Sequence, residues 1–248
     1  FNAAYNKNEI KKLDNSNKPD FPGYETGGIA GDVGQNIQIL KVGQSIETFY
    51  TYQHKIGANG KIIPDNIDAN GDGSIDALDI YEDLNGDNII NEKDLAVNKK
   101  ASPNLILGLT TNFRYKKWDL AATFRSNIGN SVYNNVASAN GYYQRLTDRV
   151  TNNIHESAFT NNFNKRQLKS NVYIEDASFV KLDNVALTYN LGNTSIFKNM
   201  SISATVQNLF VLTKYSGLDP ELPQSNGGID NNIYPVSRRY ILGLNVNF

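Results

Sequence analysis

Apolar and polar residues alternate strictly near the end of the chain, and this pattern predicts a β-strand. From Tyr240 to Phe248 every second residue is apolar, whereas the residues between them are mostly small or polar. Three earlier segments show the same alternation: 105–115, 118–127 and 199–212. A side-chain period of two puts the apolar residues of a strand on one face, so the pattern predicts long strands with one apolar and one polar side.

A further strand is predicted from Val185 to Leu191, although Val180 and Leu182 just before it are in the opposite phase. One extra residue near Asp183 would restore the phase, and such an insertion is a β-bulge. Weaker candidates lie at 1–13, 36–43 and 46–55. The chain is therefore expected to be all-β, with about eight antiparallel strands, most of them near 10 residues long.

The predicted connections alternate between long and short, and this alternation separates two fold classes. In chain order they span 14–35, 44–45, 56–103, 116–117, 128–178, 192–198 and 213–237. Transmembrane β-barrels combine short turns on one side with long loops on the other, and a tilted strand of about 9–11 residues crosses the bilayer core. A secreted β-sandwich has the same alternation within its strands, but its two ends need not differ. The connections therefore favour the barrel over the sandwich.

Composition narrows the possible functions. The chain of 248 residues carries 24 Lys and Arg against 25 Asp and Glu, so no basic excess indicates a nucleic-acid partner. Without cysteine it has neither disulfides nor thiol chemistry, and His54 and His155 lie too far apart in sequence to suggest a catalytic pair. We expect no enzymatic activity. The first residue is Phe1, which predicts a processed start or a piece of a longer protein.

One segment, 65–94, has clear ligand chemistry. Its first half places oxygen-bearing groups at positions 1, 3, 5, 7, 9 and 12 of a loop with Gly73 at position 6: Asp68, Asn70, Asp72, Ser74, Asp76 and Asp79. This is the spacing of an EF-hand-type calcium loop, with position 7 contributing its backbone carbonyl. Asp79 stands where Glu is usual and is one methylene shorter, which makes bidentate closure less certain.

A second copy follows three residues later. Its corresponding positions are Asp83, Asn85, Asp87, Ile89, Asn91 and Asp94. Asn88 replaces the turn glycine, which is tolerable because Asn visits left-handed backbone conformations. The sequence thus predicts a structural Ca²⁺ double loop that stiffens a long connection; the alternative is an acidic surface loop that binds nothing.

Several segments together resemble one family. They are 5–13, 68–76, 103–130, 173–182, 206–210, 215–221 and 234–248, and they occur in the same order over nearly the whole chain. The resemblance is to the C-terminal barrel region of SusC/RagA-type TonB-dependent outer-membrane transporters of Bacteroidetes. The family usually has one calcium-type loop, so the second is an elaboration.

The resemblance implies that residues 1–248 form part of a 22-stranded transmembrane barrel whose long loops are extracellular, with 65–94 inserted in one of them. It implies import of glycans or peptides with a SusD-like surface lipoprotein as a lid, and coupling to TonB through parts of the protein outside this chain. It also implies contact with outer-membrane lipid, and recognition of Phe248 by the barrel-assembly machinery. Two alternatives remain open: a SusC-like scaffold subunit of a larger outer-membrane assembly, or a secreted calcium-binding β-sandwich that mediates adhesion or carbohydrate binding.

Overall fold

The computed structural model describes residues 1–13, 21–31, 34–147, 153–193, 197–222 and 224–247. Phe248, and with it the predicted barrel-assembly signal, lies outside these residues. Among them, no helix has the length and apolar character needed to cross a membrane.

The strands in chain order are β1 (Asn2–Tyr5), β2 (Tyr24–Gly28), β3 (Asn36–Leu40), β4 (Thr48–Tyr52), β5 (Leu95–Lys100), β6 (Leu105–Tyr115), β7 (Trp118–Ile128), β8 (Ser131–Asn134), β9 (Ile174–Asp176), β10 (Phe179–Gly192), β11 (Asn199–Thr213), β12 (Ile229–Asp230) and β13 (Arg239–Asn247). Short α-helices are α1 (Ala77–Ile80), α2 (Asn135–Asn140) and α3 (Ser157–Asn161), and 3₁₀ turns span Glu92–Asp94, Tyr143–Thr147, Asn171–Tyr173 and Gln224–Asn226.

Six of the described strands form one antiparallel sheet, here called the wall sheet, in the order β1-β6-β7-β10-β11-β13. The long strands β6 and β7 form the predicted hairpin, in which Tyr115 pairs with Trp118. Lys116 turns the chain with a positive φ of 52°. With 11 residues each, β6 and β7 have the length that a tilted strand needs to cross a bilayer.

The wall sheet has one apolar face that continues from strand to strand. One row of paired residues runs Phe113, Leu120, Leu187, Ala204 and Leu242. Leu242 is 86% exposed, so this row faces away from the chain's own core. The opposite face is mainly polar, as in the pair Thr110 and Thr123, whose hydroxyl oxygens lie 3.3 Å apart. Because the apolar side chains point outward and no second sheet among the described strands covers them, the wall sheet is not half of a β-sandwich.

The predicted bulge is present at Asp183. The pairing of β10 with both neighbours shifts between Leu182 and Asn184, so Asp183 is the extra residue. As a result Leu182 pairs with Phe124 and Val185 pairs with Ala122, and residues on both sides of the bulge share the outward apolar face. The phase change in the sequence is thus explained by one inserted residue.

The prediction that 36–43 and 46–55 are wall strands is wrong. These segments form β3 and β4, which have five residues each and lie in a separate four-stranded sheet of order β2-β3-β4-β5. Ile37, Ile39 and Phe49 are buried there. Such strands are too short to cross a bilayer core. The wall sheet therefore has six described strands where eight were expected, and 44–45 is not one of its hairpin turns.

The long connections pack against one another. The main buried cluster comprises Ile29, Ile37, Phe49, Tyr133, Ala137, Phe163, Tyr173, Ile174 and Ile229. These residues belong to the connections 6–104, 129–178 and 214–238 between wall strands, and together those connections are here called the loop unit. A small sheet of order β12-β8-β9 joins the second connection to the third. The other two connections, 116–117 and 193–198, are short, so long and short still alternate and the three long connections share one core.

Candidate functional site

The first predicted calcium loop is a compact turn held by its own carboxylates. The carboxylate of Asp68 accepts hydrogen bonds from the backbone N–H groups of Gly71 and Gly73, at 2.7 and 2.9 Å. Asn70 Oδ1 accepts the N–H of Asp72, and Asp72 Oδ1 accepts the N–H of Ser74. Asp72, Ser74 and Asp76 are exposed. Successive oxygen-bearing side chains at alternate positions therefore fold the loop around its own backbone amides.

Asp79, at position 12, connects the start of this loop to its end through hydrogen bonds to backbone N–H groups. Its side chain is fully buried, and it accepts N–H groups from Ala69 and Asn70 through Oδ1 and from Asp76 through Oδ2. The hydrogen bond from Asp76, with those from Asn70 and Ala69, lowers the pKa of Asp79 although burial opposes this. Asp79 also lies in α1, whose first turn Asp76 caps by accepting the N–H of Leu78. The residue thus fixes the loop to the helix that follows it.

The second loop repeats this geometry almost bond for bond. Asp83 accepts the N–H groups of Gly86 and Asn88 at 2.7 and 2.8 Å, and these bonds leave its pKa lowered although burial, the largest effect, opposes them. Asp94 is fully buried and accepts the N–H groups of Leu84 and Asn91. Asn88 has a φ of 59° where Gly73 has 90°. Asn88 therefore adopts the left-handed backbone conformation that was predicted for it as the replacement of the turn glycine.

The other predicted ligands of the second loop are in corresponding places. Asn85 Oδ1 accepts the N–H of Asp87, Asp87 Oδ1 accepts the N–H of Ile89, and Asn91 Oδ1 accepts the N–H of Lys93. In the described part of the chain, no three Asp, Glu or His side chains meet as a preformed metal-binding group. The donor set nevertheless suits Ca²⁺, since a carboxylate oxygen that accepts one N–H retains a further lone pair. Asp79 Oδ1 already accepts two N–H groups, so Oδ2 is the oxygen of Asp79 that retains one. The calcium ligands remain a prediction.

A charge network that the sequence analysis did not identify joins the loop unit to the polar face of the wall sheet. Arg125 of β7 donates through Nη2 to Asp183 of β10 and to Glu221 of the third connection, each at 3.1 Å. Lys181 of β10 is buried and donates to Glu221 at 3.1 Å, with Asp219 at 3.9 Å. Burial alone would raise the pKa of Glu221, but the bonds from Arg125 and Lys181 leave it lowered. The sequence does place Arg125 on the polar face of its strand, but it does not indicate Glu221 as a partner.

A cavity of about 440 Å³ lies between the loop unit and the wall sheet. The wall contributes Ile106 and Asn127, and the loop unit contributes Glu47, Ser102 and Asn130 among others. Glu221 of the charge network lines the same cavity. The junction between the loop unit and the wall sheet therefore contains both salt bridges and a cavity.

The chain is similar along its whole length to parts of larger bacterial receptors. It is 32% identical over 260 residues to "TonB-dependent receptor SusC" of Bacteroides thetaiotaomicron, and the match covers 100% of the chain and 24% of that protein. It is 26% identical over 268 residues to "TonB-dependent receptor P3" of Formosa agariphila, covering 100% of the chain and 26% of that protein. No family profile matches the chain. The chain thus spans about a quarter of the length of these relatives.

Solved structures show the same fold. The RagAB peptide importer in its "open-open" state superposes with a TM-score of 0.65 at 21% identity, covering 99% of the chain and 26% of that structure's chain. A second structure of the RagAB peptide transporter gives a TM-score of 0.59 over 86% of the chain. The relatives are receptors and transporters, which agrees with the expectation that the chain is not an enzyme. Together with the outward apolar face and the three long connections, these similarities show that the chain belongs to the SusC/RagA-type TonB-dependent outer-membrane receptors and forms part of their β-barrel.

Proposed function

We propose that the chain forms part of the wall and the external loops of a TonB-dependent outer-membrane importer of glycans or peptides. The observation that carries the proposal is the two-faced wall sheet, whose apolar face suits lipid and whose polar face is tied to the loop unit. The names of the relatives support the coupling to TonB, and the RagAB structures support import of peptides as one option. In this arrangement the loop unit lies on the cell surface, where substrate first arrives.

The test is uptake by cells that carry the receptor containing this chain. Labelled oligosaccharides and oligopeptides are offered to the parent strain, to a strain lacking TonB and to a strain lacking the receptor. We expect uptake of one substrate class by the parent strain alone. Uptake that persists without TonB would contradict the proposal. A receptor that takes up nothing but remains in a stable assembly would be a scaffold subunit.

We further propose that a SusD-like surface lipoprotein covers the loop unit as a lid. Support comes from the family and from the apolar groups that the loop unit exposes, among which Phe159 is 70% exposed and packs edge-on against Tyr143 with ring centroids 6.2 Å apart. Affinity purification of the receptor should recover a lipoprotein in stoichiometric amount. Phe159→Arg should reduce that recovery, whereas Glu82→Arg, at an exposed site of another connection, should not. Equal recovery with both variants would place the partner elsewhere.

We also propose that each half of segment 65–94 binds one Ca²⁺, through oxygen atoms of residues 68–79 and of residues 83–94. The support is that two loops with the same spacing have the same internal hydrogen bonds. Such an ion would stiffen an exposed loop, and millimolar extracellular calcium is enough to fill even weak sites of this kind. No role in transport chemistry is required of it.

Calorimetric titration of the chelator-treated receptor with CaCl₂ tests this proposal. We expect two ions per chain and protection of 65–94 from protease. Asp72→Asn should remove one ion and Asp87→Asn the other, because each loses a charge at position 5. Glu82→Gln lies between the loops and is the charge-matched control. Absence of binding heat, together with protease sensitivity that chelation does not change, would eliminate the calcium sites.

The barrel-assembly signal remains a prediction as well. If Phe248 is read as a C-terminal signal, residues added after it should impair insertion of the receptor into the outer membrane. Normal insertion of such a tagged receptor would contradict this expectation.

A further inference from the structure

The outward face of the wall sheet has a row of aromatic rings next to the short turn between β6 and β7. Tyr115 pairs with Trp118, and Trp118 pairs with Tyr189 of β10; these three residues are here called the aromatic row. The rings of Trp118 and Tyr189 are in contact, with centroids 4.6 Å apart, and Tyr115 and Trp118 are exposed. In membrane barrels Tyr and Trp collect where the apolar band meets water, because each joins an apolar ring to a polar group. The aromatic row therefore marks one border of the apolar face.

The charged residues of the two short connections are all lysines. Lys116 and Lys117 form one turn, and Lys198 ends the other connection, 193–198; these three residues are here called the short-turn rim. By contrast, all but two of the chain's 25 acidic residues lie in the three long connections. Asp119, the carboxylate closest in sequence to the turn, is bound to Arg114 on the opposite, polar face of the sheet. The short-turn rim is therefore positive, whereas the acidic residues are concentrated at the end of the wall that bears the loop unit.

Contacts of the turn place its two lysines beside the aromatic row. Both side chains are exposed, and Lys116 Nζ lies 5.3 Å from the centroid of the Tyr115 ring, so this ammonium reaches over the outward face. Lys117 Nζ donates to the backbone carbonyl of Leu191 at 3.4 Å, at the end of β10. The backbone carbonyl of Lys117 accepts the N–H of Asn190 at 2.8 Å, which fixes the turn against the neighbouring strand. An ammonium has three N–H donors, so each lysine retains donors for an anionic ligand.

We propose that the short-turn rim binds the phosphate headgroup of an anionic glycerophospholipid. The lysines would meet the phosphate, the aromatic row would lie at the level of the glycerol, and the acyl chains would extend along Phe113 and Leu120, which form the next pair on the outward face. The ligand thus matches both the charge of the rim and the apolar face beside it. A soluble anion would match the charge alone. Because short turns of outer-membrane barrels lie on the periplasmic side, the lipid would belong to the inner leaflet.

The inference rests on the position of the wall sheet in the outer membrane and is independent of which substrate the receptor imports. Lipid held at the short-turn rim would fix the height of the wall in the bilayer, since Tyr, Trp and Lys near a border act as interfacial anchors. The binding itself can be measured without transport.

Native mass spectrometry of the detergent-purified receptor that contains this chain, titrated with phosphatidylglycerol, counts the bound lipids and tests the site. Phosphatidylcholine with the same acyl chains is the zwitterionic match, and glycerol 3-phosphate is the soluble headgroup. We expect phosphatidylglycerol to bind more tightly than phosphatidylcholine and to resist displacement by an equal concentration of glycerol 3-phosphate. The double variant Lys116→Gln/Lys117→Gln should lose one bound phosphatidylglycerol, because each lysine contributes about fivefold in affinity. Lys61→Gln/Lys165→Gln, which changes two exposed lysines of the loop unit, is the charge-matched control and should lose none.

The inference is overturned if phosphatidylcholine binds as tightly as phosphatidylglycerol, or if glycerol 3-phosphate displaces the lipid at equal concentration. It is equally overturned if the turn variant retains as many phosphatidylglycerol molecules as the control, or if the rim captures an acidic periplasmic protein and no lipid. Heat-modifiable migration of both variants shows that each has folded. Unchanged lipid binding by the turn variant together with TonB-dependent uptake would refute this inference alone, whereas uptake independent of TonB would refute the import proposal and leave the lipid result standing.

Discussion

The wall sheet and the loop unit use the same kinds of residue in opposite ways. In the wall sheet the largest apolar side chains point outward, and Leu242 is mostly exposed. In the loop unit they point inward, and Phe163 is completely buried. The wall sheet relies on backbone pairing between long neighbouring strands, whereas the loop unit relies on a conventional core. The difference teaches that the wall sheet requires a continuous exposed apolar face, whereas the loop unit requires a buried apolar core.

The largest effect should come from opening the core of the loop unit. Phe163→Ala removes a ring of the main cluster, which also contacts the ring of His54 at a centroid distance of 5.1 Å. A buried Phe→Ala change costs about 3–5 kcal/mol. We expect limited proteolysis of the purified receptor to cut the loop unit much faster while the wall sheet stays protected. Phe159→Ala, at an exposed site, is the matched control, and equal protection of the two variants would show that the loops have no common core.

A charge on the outward face of the wall sheet should come next. Leu242→Arg places a cation where lipid is expected, at a cost of about 2–4 kcal/mol near the middle of the bilayer. The measurement is the amount of heat-modifiable, folded receptor recovered from outer membranes. Asn245→Arg lies three residues away on the opposite face of β13 and should be nearly neutral. If both variants assemble equally, the outward face does not meet lipid.

Removing the buried carboxylate of Asp79 from the first predicted calcium loop should have a smaller effect. Asp79→Ala leaves three backbone N–H groups without their acceptor, which costs about 1–3 kcal/mol in local stability. The pKa of Asp79 in the folded protein is below its usual value of 3.8. The carboxylate therefore contributes its full stabilisation of the loop above pH 3.8, and this stabilisation disappears as the pH falls through the lower pKa of the folded state. Hydrogen exchange of residues 69–76 measures the change. Asp76→Ala, which removes one exposed acceptor, is the control and should change exchange less; equal exchange in both variants would contradict the role of Asp79.

The smallest effect is a pH dependence confined to the loop unit. His54 is buried, with Nε2 2.9 Å from the carbonyl of Ile63, and burial lowers its pKa below the usual 6.5 despite that bond and the charge of Asp65. The unfolded state then binds a proton more readily, so the loop unit loses stability as the pH falls below 6.5, by at most about 1.4 kcal/mol per pH unit. His54→Gln should flatten the dependence of loop-unit protease resistance between pH 7 and pH 5. An unchanged slope would assign the dependence to other groups.

Local pattern was enough to predict the wall strands but not the loop unit. Alternation located β13 and β11, and the phase change around Asp183 located a bulge, because both depend on residues close together in the sequence. The same pattern led to the wrong assignment of 36–43 and 46–55 to the wall sheet. The short strands β3 and β4 of the loop unit also have alternating apolar residues, and only their length distinguishes them from a membrane-spanning strand. The pairing of Arg125 with Glu221 joins residues 96 positions apart, and no local signal encodes such a contact.

The shared core of the three long connections also sets the order in which the molecule can form. Ile29 and Ile229 belong to the same cluster although 200 residues separate them. Contacts of such high sequence separation become favourable only after the intervening chain has been brought together, and they slow folding. Because the hairpins of the wall sheet supply that closure, we expect the loop unit to condense last, after the long strands have paired with one another.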